Sequence, residues 1–168
     1  HVVIFGELLA IASILMCLLF VMVDIGRPER AWHMIPFIGR FNWPLSILTW
    51  DVIVLDGYLL LNAYICGYLL YIEYLGGKPA KALYLPFIFI SVVWAVSTHV
   101  ATAFLFVGLG ARPFWNSAII GPRFLASAFV AGPALIIITL QVIRHLTRYD
   151  ISDSTLMKLR GIVQVAMI

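Results

Sequence analysis

FNWPLSILTWDVIVLDGYLLLNAYICGYLLYIEYL, residues 41–75, decides what kind of protein this is. A helix rising about 1.5 Å per residue crosses a hydrocarbon layer of roughly 30 Å in about 20 residues, so the stretch spans a membrane with length to spare. Read as one long apolar helix, it nevertheless contains Asp51, Asp56 and Glu73. An ionisable group inside a spanning helix costs at least about 2.5 kcal/mol on insertion scales, so it faces protein, a partner or a water-filled cavity. The stretch points to a membrane function that uses protons or charge.

Working outward, the 168 residues are 63% hydrophobic and only 11% charged, with a mean hydropathy of +1.04. A soluble domain carries about 25% charged residues and could not hide this much apolar surface. The chain is therefore an integral membrane protein. Its formal charge of +3 comes from eleven Lys and Arg against eight acids, placed almost entirely between the apolar runs. No clustered basic face offers itself to nucleic acid. Cys17 and Cys66 both fall in apolar runs without a CxxC partner, so they read as packing residues rather than a disulfide or zinc framework. The apolar run starting at Val2 has no basic leader or cleavage site, and GIVQVAMI closes the chain on apolar residues. The expectation is a piece of a longer protein, its first helix clipped.

Four spans are predicted, over 2–23, 43–74, 86–109 and 124–143, followed by a tail, 144–168, in which a fifth helix begins near Ser154. Together they form one transmembrane helical domain, 1–168. Pro133 lies mid-span as an expected kink. Alternation puts two connections, 24–42 and 110–123, on one face, X, and leaves 76–85 and the tail on the other, Y. Face X carries Arg27, Arg30, Arg40, Arg112 and Arg123; face Y carries Lys78, Lys81, Arg144 and Arg148, with Lys158 and Arg160 beyond. With the two faces nearly tied, the positive-inside rule does not orient the chain. Face X is the richer in chemistry, since GRP, ARP and GPR set the planar donor fork of arginine beside a fixed proline backbone. Such a combination suits a docking surface or a polar mouth. Taken singly, Trp32, Trp43 and Trp115 read equally well as interface-belt aromatics.

Depth from face X is counted at about 1.5 Å per residue, which puts Asp51 about 12 Å, His99 about 15 Å and Asp56 about 20 Å into the membrane. Consecutive antiparallel spans are usually neighbours, so His99 is expected to meet at least one of the two carboxylates. A histidine beside a carboxylate can pass protons near neutral pH, as quinone reduction and quinol oxidation require. The bland alternative is a buried pair that merely satisfies itself. Trp94 and Thr102 are further candidates to line this pocket; the other Ser and Thr of the third span are expected to bond their own helix.

A second pattern runs along the 43–74 span. At 100° per residue from Asp51, Tyr58 falls at about 340°, Asn62 at about 20°, Cys66 at about 60° and Glu73 at about 40°. One polar face thus leads from the pocket toward face Y. It reads as a proton path through Tyr58, Asn62 and Glu73, helped by Glu7 at about 24 Å from face X. It reads equally as a helix interface in which polar side chains hydrogen-bond across to a neighbour.

A haem b anchor is the chemical competitor, but the histidines fit it poorly. His99 stands alone at its depth, His33 lies in a face X connection, and only His1 with His145 could form a pair. No CxxCH, cysteine cluster or glycine-rich phosphate loop occurs. A proton-coupled transporter would also use intramembrane acids and a proline-kinked span, although no inverted repeat is visible. A purely structural anchor leaves the acids unexplained.

DIGRPERAWHMI, FNWPLSILTWDVIVLDGYLLLN, STHVATAF and GARPFWNSAIIGPRFLASAF, four motifs in order, resemble the NrfD-like polysulfide-reductase membrane-subunit family, most closely its DsrP and HybB branch. The resemblance implies a haem-free helical bundle, half of a subunit with eight to ten spans, that binds menaquinone or ubiquinone. It implies a prokaryotic cytoplasmic (inner) membrane protein with face X outward, not catalytic alone, inside a respiratory or sulfur-metabolism oxidoreductase complex. Electrons would be exchanged with a ferredoxin-like iron–sulfur partner docked on face X. By motif position, Asp51, His99 and Arg123 would lie at the quinone pocket, with Arg27, Arg30 and His33 at its mouth or docking surface. The full expectation places proton chemistry on His99, Asp51 and Asp56, quinone contacts on His99, Asp51, Arg123, Trp50, Thr102 and His33, and docking on Arg27, Arg30 and Arg112.

Overall fold

In hydrocarbon every backbone N–H and C=O must find its partner within the chain, which leaves apolar runs of this length one solution, the α-helix. The computed structural model, which describes residues 2–35, 38–147 and 151–168, contains five: α1 (Val2–Asp24), α2 (Ile47–Tyr74), α3 (Lys81–Val107), α4 (Ile120–Leu146) and α5 (Asp153–Ala166). The first four are long and apolar enough to cross a membrane. No strand occurs among the described residues. His1 and Arg148 lie outside them.

The helix ends correct the expected spans, most consequentially in α2. The helix begins at Ile47 rather than at residue 41 or 43. Proline disfavours helical backbone in the residue before it, here Trp43, and Ser46 takes the extended conformation of an N-cap. Trp50 fastens the preceding turn to the helix, its indole N–H donating to the Pro44 carbonyl at 2.9 Å. α2 ends at a left-handed glycine, Gly76 (φ +68°), whose N–H returns to the Glu73 carbonyl. α3 starts five residues early and carries Pro86 in its second turn, and α4 runs unbroken through Pro133. α5 starts after Ser152 rather than at Ser154; Ser152 has the extended backbone of the cap, and its hydroxyl lies 2.7 Å from that of Ser154.

The chain divides into two compact units, His1–Leu105 and Phe106–Ile168. In the first, α1 lies along α2 at close backbone range. α2 and α3 meet through side chains: Tyr64 against Phe87 (ring centroids 4.6 Å apart), Tyr68 against Tyr84 (6.4 Å), and the Trp94 indole N–H donating to the Val54 carbonyl at 2.9 Å. Gly57 makes room for that indole, since a Cβ there would stand 2.7 Å from Trp94 Cζ2. A 3₁₀ helix, Pro28–Met34, follows α1. In the second unit α5 folds back on α4, joined by an Arg144–Asp153 ion pair at 2.7 Å. An apolar groove of about 790 Å³ runs between them, walled by Leu125, Phe129, Ile162 and Val165 with Lys158 among its lining.

Candidate functional site

Measured from the observed helix ends, Asp51 is about 6 Å into α2, Thr102 about 8 Å from the end of α3, and His99 about 12 Å from it. Asp51 and Thr102 therefore share a level, and they meet: the Thr102 hydroxyl donates to Asp51 Oδ1 at 3.0 Å. Asp51 is only 4% exposed. Cys17 of α1 lies within electrostatic reach of it.

The same Thr102 hydroxyl lies 2.9 Å from the Thr98 carbonyl. One proton thus has two acceptors. With Asp51 ionised it points to the carboxylate; with Asp51 protonated it can turn to the Thr98 carbonyl while the hydroxyl oxygen accepts from the carboxyl. The pair accommodates either protonation state without leaving a buried polar atom unsatisfied.

His99 stands one turn further in on α3. Its Nδ1 lies 2.8 Å from the Ala95 carbonyl and 3.3 Å from the Thr98 hydroxyl, which itself donates to Ala95 at 2.7 Å. A carbonyl oxygen only accepts, so Nδ1 carries the proton and the neutral ring presents Nε2 as an acceptor. Nε2 has no hydrogen-bond partner among the described residues. His99 is hydrogen-bonded to neither Asp51 nor Asp56 among these residues; the carboxylate partner on α3 is Thr102.

Asp56 differs from Asp51 in the face of α2 that it occupies. Five residues turn a helix through about 140°, which carries Asp56 away from Thr102 to an exposed face of α2. No described residue hydrogen-bonds it.

The polar face toward Y is partly enclosed between α1 and α2. Asn62 is 2% exposed and donates to the Tyr58 carbonyl at 2.6 Å; Cys66 is buried and Tyr58 half-buried. Glu7 of α1 lies within electrostatic reach of Tyr58 and Cys66, and its Oε2 is buried with no hydrogen-bond partner among the described residues. Glu73 is exposed in the last turn of α2.

The remaining candidates lie on the connections. Arg27 and Arg30 are exposed at the 3₁₀ helix, where His33 stacks on Trp32 with centroids 3.8 Å apart. Trp50 is engaged with Pro44 and Trp43 at the start of α2. Within the second unit, Arg112 lies over Trp115 at 4.7 Å and Arg123 over Phe114 at 5.2 Å. These rings hold both guanidinium groups by cation–π contact. Gly57 is not among the residues that sequence reasoning singles out, and the Thr98 hydroxyl, expected to make only an ordinary helix bond, also helps hold the His99 ring. The available signals are the small residue opposite Trp94 and the STH triplet.

These features define a multi-pass helical membrane protein with a buried carboxyl–hydroxyl pair beside an imidazole whose second nitrogen is open. The chain belongs to the NrfD family, matching the family described as Polysulphide reductase, NrfD over residues 1–168. Two curated relatives are a Hdr-like menaquinol oxidoreductase integral membrane subunit of Archaeoglobus fulgidus and the C subunit of the selenate reductase of Mesobacillus selenatarsenatis. The first is 24% identical over 143 residues, covering 85% of this chain and 33% of the relative. The second is 29% identical over 160 residues, covering 76% of this chain and 37% of the relative. The chain thus spans about a third of the length of these relatives. No solved structure matches it.

Proposed function

We propose that this chain is the quinol-handling part of a membrane oxidoreductase complex, with His99 and Asp51 managing the protons. The observation that carries the reading is the open Nε2 of His99, one turn from the buried Asp51–Thr102 pair in an otherwise apolar environment. A relative named as a menaquinol oxidoreductase subunit supports the same substrate class, menaquinol or a related quinol such as ubiquinol.

Oxidation of a quinol releases two protons and two electrons. Neutral His99, its Nδ1–H fixed on Ala95, offers Nε2 to accept a hydrogen bond, and then a proton, from a quinol hydroxyl. As the imidazolium it would donate from Nε2 to a quinone carbonyl, so the same ring serves both redox states of the ligand. Asp51 receives or supplies a proton while Thr102 reorients to match. From there Tyr58, Asn62 and Glu7 continue a polar line toward Glu73 and face Y. Asp56, on the other side of the helix, takes no part in this chemistry. Electrons leave for an iron–sulfur partner, for which the exposed Arg27, Arg30 and Arg112 are the docking candidates, with His33 and Arg123 as candidates for quinone contact. The setting is a prokaryotic inner membrane with face X outward.

In the complex purified from its own membrane, His99→Ala is expected to lower quinol-linked turnover by about 10²-fold and to weaken binding of a quinone analogue. Turnover and analogue binding both unchanged would place the site elsewhere.

A further inference from the structure

The exposed face of α2 carries a regular seam. Asp56, Leu60, Ala63, Gly67, Leu70 and Tyr74 follow one another at alternating steps of four and three residues, and all six are exposed. They fall within an arc of about 80°, turned away from the α1-facing and α3-facing sides of the helix. Leu60 is 70% exposed, and a Cβ built on Gly67 would have no neighbour within 4 Å. This 4-3 rhythm is the one by which helices pack at a shallow left-handed crossing, and small residues four apart, Ala63 and Gly67, permit close backbone approach.

An apolar seam alone would be content against lipid tails. Asp56 is not. It stands about 14 Å into the spanning helix, without a hydrogen-bond partner among the described residues, where facing hydrocarbon costs at least about 2.5 kcal/mol. A second copy of this chain docked by the same seam about an axis normal to the membrane would set Asp56 against Asp56, compounding that cost. What relieves it is a cation or strong donor at the same depth.

We infer that the Asp56–Tyr74 seam of α2 docks a further membrane-spanning helix that presents a Lys, Arg or His opposite Asp56. The helix supplies the charge partner at one end of the seam and packs its backbone on Ala63 and Gly67 along the rest. The seam is an assembly surface, distinct from the proton chemistry on the opposite side of α2, and the inference stands whether or not a quinol binds near His99.

The test uses the whole protein in its own membrane, with a photo-reactive phenylalanine analogue replacing Leu60 and, separately, Leu70, and mass spectrometry of the adducts. The expected adduct lies on a spanning helix with a basic residue within about one turn of the point level with Asp56. Asp56→Leu should lower that adduct about five- to thirtyfold, the range of a polar contact between membrane helices, whereas Asp56→Asn, which keeps an acceptor, should retain most of it. Adducts to lipid alone, to a helix without a basic residue, to Leu60 or Leu70 of a second copy, or with yields indifferent to Asp56→Leu would each overturn the proposal.

Discussion

Asp51 and Asp56 share a helix and lie five residues apart, yet they stand in opposite surroundings. Asp51 is buried and bound by a hydroxyl; Asp56 looks outward, with no hydrogen-bond partner among the described residues. Depth alone makes them near equals, because each lies inside an apolar span. Azimuth separates them. The difference teaches that an acid in a membrane helix acquires its role from the face it occupies, with an enclosed face allowing proton transfer against a matched partner and an open face demanding a partner from elsewhere.

The contrast breaks most visibly if Asp51 proves dispensable. Asp51→Leu should reduce quinol-linked turnover of the assembled complex by about 10²-fold or more, the usual worth of a positioned proton-transfer group. Loss no greater than that of an exposed substitution would mean that enclosure carries no function. A smaller effect is expected one bond away. Thr102→Val keeps the shape of the side chain but removes the donor to a buried carboxyl, a loss of about 1.5–3 kcal/mol for a bond to a charged group. If that bond acts in turnover, the rate falls about tenfold, and Thr102→Ser, which restores the hydroxyl, recovers most of it. Failure of serine to recover the rate would assign the loss to packing instead.

Much of this is legible in the sequence because membrane spans announce themselves by length and hydropathy. All four spanning helices lie where the apolar runs put them, and the family can be recognised from four motifs. What the sequence obscures is one helical turn. Counting depth from Trp43 and Leu109 leaves Asp51 and His99 about 3 Å apart in level, whereas from the observed ends at Ile47 and Val107 they stand about 6 Å apart and Asp51 is bonded to Thr102. Pro44 and Ser46 carry the signal, since a proline followed by a serine cap is a common way for a helix to start late. Of the two acids that bracket His99 in depth, Asp56 stands apart for a different reason. Depth brackets the histidine between the two acids, but the 140° between them, which follows from the same 100° rule that groups Tyr58, Asn62 and Cys66, turns Asp56 away. The Gly57–Trp94 contact and the Nδ1 bond of His99 depend on how two helices approach and on a side-chain rotamer, which no single helix's periodicity contains.

The subtlest expectation concerns Asp56→Asn. The carboxamide has the size of the carboxyl and keeps one acceptor oxygen, so a donor on a docked helix still finds a partner, and the assembly should persist. Asp56 shares no hydrogen bond with the Thr102 hydroxyl or the His99 ring, so both keep their geometry. Quinol-linked turnover should therefore stay within about twofold of the unsubstituted protein, the scale on which surface substitutions away from a site act. Measured beside Asp51→Asn in the same complex, the pair isolates azimuth, since residue type, chemical change and helix are held constant. If the two amides lower turnover equally, Asp56 belongs to the proton chemistry after all and the two faces of α2 are not separate in function; if only the substitution at Asp51 does, the enclosed face alone carries the reaction.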